Sequence, residues 1–219
     1  MNTNDFILNL ADARDAARVG GKAINLGRLL RAGFPAPGGF VITTDAYRYA
    51  HAKGGMPAEL ADAIRAFYRQ IGSPTVAVRS SATAEDMADA SMAGQYETFL
   101  DINGADDVLI AVQKCWSSLD SPRTRSYLHE HGIDIDVVAM AVVVQILVPA
   151  DVAGVLFTAN ARTGALDEML IEASWGLGES VVSGNVQPDV LRISGVDGRV
   201  LEAKISDKAT WIEPGSHKE

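Results

Sequence analysis

The stretch VAVRSSATAEDMADASMAGQYETFL, residues 76–100, decides how the whole chain reads. Val76, Ala77 and Val78 are the apolar start of a buried strand, and that strand delivers Arg79 to its far end. A guanidinium placed there forks onto two phosphate oxygens, a geometry that an ammonium lacks. Ser80, Ser81 and Thr83 add hydroxyls. Ser91, Ala93 and Gly94 then supply a turn small enough for backbone N–H groups to close over a polyphosphate. The same residues also fit a surface loop whose acids, Glu85, Asp86 and Asp89, pair with Arg79. Both readings stand on the residues alone.

Working outward, VGGKAINLG at residues 19–27 places two glycines before a helix. Glycine lets a backbone approach a ligand closely, a helix N-terminus favours anions, and Lys22 adds a mobile positive charge. A tight turn into the helix with a solvated lysine fits equally. On the other side, VVVQILVP at residues 142–149 reads as a strand that breaks at Pro149 and resembles a hinge. There the Gln145 amide and exposed backbone groups can read an adenine edge. A central strand with one hydrogen-bonded glutamine is the alternative.

The periodicity around these segments predicts helices over 22–32, from Thr44 or Asp45 onward, over 58–72, near 106–118 and near 122–131. Ala23, Leu26, Leu29 and Leu30 are expected on the inner face of the first, and Leu60, Ile64 and Phe67 on that of the third. Strands are expected at 40–43, 75–80, 97–102, 138–147, 154–159 and near 168–173. A hairpin joins 190–193 to 199–205 across Gly195–Gly198. Hairpins with helices on their faces and few parallel crossovers predict an α+β, two-lobed architecture.

Composition narrows the function classes. The 219 residues carry a formal net charge of −9, which argues against a surface built for nucleic acid or an anionic membrane. The apolar run at 137–150 contains Gln145 and Pro149 and is shorter than the ~20 residues that a membrane helix needs. The N-terminus has no basic and apolar leader pattern, and a single cysteine excludes an internal disulfide, so a reduced, cytoplasmic setting is expected. Cys115, beside Trp116 in an apolar helical pattern, is expected to fill the core. His51, His129 and His131 have no ligand or nucleophile spacing around them and are expected at the surface. Ser216 and His217 sit in a terminal GSHKE segment and are not taken as a phosphocarrier motif.

Five blocks in this order, VGGKAINLG, PAPGGFVITTDAY, AVRSSATAEDMADASMAGQYETFL, VVVQILVPADVAGVLFTAN and IEASWGLGESVVSGNVQPD, run over nearly the whole chain. Together they resemble the N-terminal ATP-binding domain shared by phosphoenolpyruvate synthase, pyruvate phosphate dikinase and rifampicin phosphotransferase. The resemblance implies an ATP-grasp-like fold. It implies one lobe made of residues 1–102 and 175–219 and a second of residues 103–174 that carries the adenine hinge. It also implies a reaction in which ATP loses its terminal phosphoryl group as phosphate and passes its β-phosphoryl group to a histidine on a separate domain, leaving AMP. Residue by residue, Lys22 and Arg79 match the family's phosphate-binding lysine and arginine. Ser91, Met92, Ala93 and Gly94 match its glycine loop, and Gln145 with the Leu147 backbone matches its adenine hinge.

The same resemblance implies that the last subdomain of the ATP site, the Mg²⁺ ligands, the phosphohistidine domain and the acceptor domain lie outside this chain. A fragment of a phosphoenolpyruvate synthase-like enzyme, inactive alone, is therefore expected. A rifampicin phosphotransferase-like antibiotic kinase and a non-catalytic nucleotide-sensing or interaction module are the alternatives.

Overall fold

The computed structural model describes residues 5–83, 97–134, 138–184 and 186–207. The chain forms two compact units, Met1–Leu147 and Val148–Glu219. All of its strand pairings are antiparallel among the described residues.

The first unit is built on a five-stranded sheet, in order β1 (Ile7–Asn9), β2 (Gly39–Ile42), β5 (Met140–Ile146), β3 (Val76–Ala82) and β4 (Thr98–Ile102). Strand β5 explains why the run at 137–150 is almost wholly apolar. It lies between β2 and β3, and both of its faces are covered. Met140, Val142 and Val144 enter one hydrophobic cluster. Ala141 and Val143 enter a second. Strand alternation sends successive residues to opposite sides, so a strand buried on both faces has no polar period.

The larger cluster packs α2 (Thr44–Ala52), α3 (Ala58–Gln70) and α4 (Ala105–Ser118) on one side of the sheet, through Ala46, Leu60, Ile64, Val108, Val112 and Cys115. Fully burying one such aliphatic side chain stabilises by about 1.5–3 kcal/mol. Cys115 is completely buried, as its sequence context suggested. Caps set the helix starts: Thr43 accepts from the Ala46 N–H, and Ser121 accepts from the Thr124 N–H ahead of α5 (Pro122–Glu130).

The opposite side is covered by α1 (Ala16–Arg31), capped by Asp15. This helix starts at Ala16 rather than at 22, where its periodicity placed the start, and is broken at Gly20, whose φ of 72° and ψ of 172° are not helical. Its buried face is Val19, Ala23, Ile24 and Gly27. Leu29, expected to point inward, is 41% exposed. Three and four residue steps from Ala23 lead to Gly27 and then Leu30, and leave Leu29 on the flank. Strand β1 carries no turn signal or clear alternation and was not anticipated.

The second unit is a four-stranded meander, β6 (Val152–Phe157), β7 (Glu168–Trp175), β8 (Asp189–Ser194) and β9 (Val200–Lys204). A short helix, α6 (Glu179–Val182), follows β7. The expected hairpin is present: the Ser194 N–H donates to the Arg199 carbonyl at 2.9 Å, and Gly198 turns with φ 72°. The compact units do not coincide with the lobes implied by resemblance, 1–102 with 175–219 against 103–174. Pairing of β5 with β2 and β3 keeps residues up to 146 in the first sheet, and β7 at 168–175 pairs with β8 in the second.

Candidate functional site

Register decides which side chains share a face. In the β3 and β5 pairing, Ala77 lies opposite Gln145, Arg79 opposite Val143 and Ser81 opposite Ala141. Ala141 and Val143 lie beneath α1. Directly opposed residues project to the same side of a sheet, so Arg79, Ser81 and Gln145 all face the α1 side. On its other flank Arg79 is opposite Thr98 of β4, which is exposed. Arg79 is thus half-buried at the border between the part of the sheet beneath α1 and an accessible part.

Arg79 is held there by an amide. Its Nη1 donates to Oε1 of Gln145 at 3.3 Å, and Nε2 of Gln145 donates to the Pro37 carbonyl at 3.1 Å. Gln145 is only 7% exposed. A primary amide has a second lone pair and a second hydrogen, so one acceptor and one donor position of Gln145 go beyond these two bonds. Of the Leu147 backbone, expected at an adenine hinge, the N–H donates to the Thr75 carbonyl at 3.0 Å. The neighbouring Ile146 N–H donates to the Gly38 carbonyl at 2.9 Å.

Lys22 lies at the start of the helical segment that resumes after the break at Gly20, and is half-buried. That break fits against β3. A Cβ on Gly20 would lie 2.2 Å from the Ser81 carbonyl oxygen, closer than atoms approach. The Ser81 hydroxyl donates to the Val19 carbonyl at 2.8 Å and accepts from the Ala23 N–H at 3.3 Å. Ser81 and Arg79 are two residues apart on one strand face, about 7 Å. Lys22 on α1 and Arg79 on β3, more than fifty residues apart in sequence, are thus carried by two elements tied together at Ser81.

The end of β3 is tied to both of its neighbours. The Ser80 hydroxyl and N–H donate to the Glu97 carbonyl at 2.9 and 3.2 Å, and Thr83 exchanges hydrogen bonds with Ala139. Ser91, Met92, Ala93 and Gly94, together with Glu85, Asp86 and Asp89, lie outside the described residues, as do Ser216 and His217. Among the described residues no group of three or more His, Cys, Asp or Glu side chains is placed to hold a metal ion, and no helix is long and apolar enough to cross a membrane.

The second unit carries a polar network that sequence reading did not anticipate. Buried Asn160 accepts from the N–H groups of Arg162 and Thr163, and its Nδ2 donates to Glu168 at 2.8 Å. Glu168 also accepts from Arg192 at 2.7 Å. The Asn160 hydrogen bond, then Arg192, holds the Glu168 carboxyl below the usual carboxylate range. The sequence signal was the NARTG turn, whose asparagine can close on its own backbone.

The sequence matches the family described as pyruvate phosphate dikinase, AMP/ATP-binding domain, over residues 16–56 and 50–218. It is 40% identical over 240 residues to a probable phosphoenolpyruvate synthase of Methanocaldococcus jannaschii, covering 91% of this chain and 20% of that protein. A phosphoenolpyruvate synthase of Aeropyrum pernix is 39% identical, covering 90% of this chain and 29% of that one. A prodigiosin synthesizing transferase of Serratia marcescens is 40% identical, with 90% and 24% covered. The chain spans between a fifth and about a third of the length of the relatives it matches.

Proposed function

The chain belongs to the pyruvate phosphate dikinase AMP/ATP-binding domain family, and from that premise we propose that it is the nucleotide-binding portion of a dikinase-type phosphotransferase of ATP-grasp fold. The polyphosphate of ATP lies on the α1 side of the first sheet, with Lys22 and Arg79 as its cationic contacts. The observation that supports this reading is the lock between the Gly20 turn and Ser81, which ties the helix that carries Lys22 to the strand that carries Arg79. Two fixed cations neutralise charge on the phosphoryl oxygens with little reorganisation, which is the main contribution a protein makes to phosphoryl transfer. The loop at Ser91, Met92, Ala93 and Gly94 closes over the phosphates with backbone donors.

At the adenine end, Gln145 uses its second donor and acceptor positions. Leu147 contributes its carbonyl oxygen, because its N–H already serves the Thr75 carbonyl. Mg²⁺ accompanies the phosphates. By the family resemblance its protein ligands are assigned to segments outside this chain.

In the whole protein, ATP gives up its terminal phosphoryl group as phosphate and its β-phosphoryl group to a histidine of another domain, leaving AMP. An acceptor domain then takes the phosphoryl group from that histidine. The synthase-like reaction is the reading favoured for the whole protein. A relative named for a different product is as similar as the synthases over the same share of this chain, so acceptor choice is assigned to the absent domains.

Titration with ATP, ADP and AMP in turn tests the polyphosphate assignment. Affinity is expected to fall as phosphates are removed, by roughly ten- to a hundredfold from ATP to AMP if one charge-assisted contact of about 1.5–3 kcal/mol is lost. Equal affinity for all three would refute a polyphosphate site at Lys22 and Arg79.

A further inference from the structure

We propose that Ser81 is a positioning residue that fixes Lys22 relative to Arg79. This rests on the phosphate-binding reading of Lys22 given above. Ser81 has no exposed surface, and its one hydroxyl serves both sides of the break in α1. It donates to the carbonyl of Val19, before the glycines, and accepts from the N–H of Ala23, after them. The second bond is a helix cap supplied from a strand: a helical segment that restarts at Gly21 leaves its first N–H groups without helical partners, and the hydroxyl takes one.

The fit is reciprocal. Gly20 adopts φ 72° and ψ 172°, a combination open essentially to glycine, and its missing side chain is what lets the Ser81 backbone come so close. The point from which the Lys22 side chain departs is thereby tied to the strand that carries Arg79. Without the hydroxyl, the Val19 carbonyl and the Ala23 N–H lose their shared partner in a dry interior. The turn then relaxes, and Lys22 no longer meets a polyphosphate at a fixed distance from Arg79.

A double-mutant cycle reads this directly. MgATP dissociation constants are measured calorimetrically for the full chain, Ser81→Ala, Lys22→Ala and the double variant, at a temperature where circular dichroism shows each to be folded. Ser81→Ala is expected to weaken binding three- to tenfold in the parent chain and less than twofold when Lys22 is already alanine. Tyr68→Phe serves as a structural control. It removes a hydroxyl that donates to the Pro74 carbonyl and accepts from the Gly104 N–H, and is expected to lower the melting temperature while leaving affinity within twofold. Ser81→Cys, similar in size with a weaker donor, is expected to fall between serine and alanine and replaces the alanine variant if that one does not fold. Unchanged affinity in the Ser81 variants, or an equal loss with and without Lys22, overturns the proposal. If Lys22→Ala itself leaves affinity unchanged, the phosphate reading fails and the positioning role falls with it.

Discussion

Arg79, Gln145 and Ser81 show what a sequence reveals of a site at the scale of single residues. Residue chemistry alone made Arg79 and Lys22 candidates, because a guanidinium expected at a strand end, although Arg79 in fact sits midway along β3, and a lysine after two glycines suit an anion. It did not reveal that Gln145 grips Arg79, since the two are 66 residues apart and meet only through the β3 and β5 register. Nor did it distinguish Ser81 from its neighbour Ser80; alternation sends one hydroxyl to the Gly20 turn and the other to Glu97. Gly20→Ala should therefore cost at least about 2 kcal/mol, combining a glycine-only backbone conformation with a backbone clash, as read by urea unfolding. Cys115 yields a second expectation. Burial first, then the charge of Glu97, pushes its thiol up from 9.0 to about 12, with Lys22 acting the other way. The native chain should resist thiol reagents at pH 8 and react fully once denatured. Because the folded pKa lies above the unfolded one, the stability tied to this thiol is complete below pH 9 and is lost as pH rises toward 12.

At the scale of elements, β5 and the hairpin of β8 with β9 were legible because a two-sided apolar run and a glycine turn have direct physical causes. The face of α1 was read less well: the glycines at 20 and 21 hid the preceding turn, and a uniform helix phase put Leu29 inside rather than Ile24. The meander of the second unit was anticipated as strands, but its polar pairing needs cross-strand register. There the depressed Glu168 carboxyl makes a pH prediction. A folded pKa below the unfolded value contributes stability that is complete above the ordinary value of 4.5 and lost as pH falls through the folded one. Melting temperature should accordingly drop as pH goes from 5 toward 3, and Glu168→Gln should flatten that drop. An equally steep drop in the variant would place the acid sensitivity elsewhere.

For the whole molecule, five sequence blocks sufficed to indicate the family, and the match over residues 16–56 and 50–218 agrees with it. The division into units was harder to read, because β5 is distant in sequence from the strands it joins, and only pairing with β2 and β3 assigns it to the first sheet. A negative chain of net charge −9 that binds a polyanion must do so through local cations, which is why the account stands or falls on Lys22 and Arg79. Calorimetric titration of the chain with MgATP, repeated on Arg79→Ala with its melt recorded, tests that claim most directly. The account predicts measurable binding by the parent chain and at least a tenfold loss in a variant that still melts cooperatively. Equal affinity in a folded variant, or loss of the cooperative melt with affinity unchanged, would contradict it and make Arg79 a structural residue.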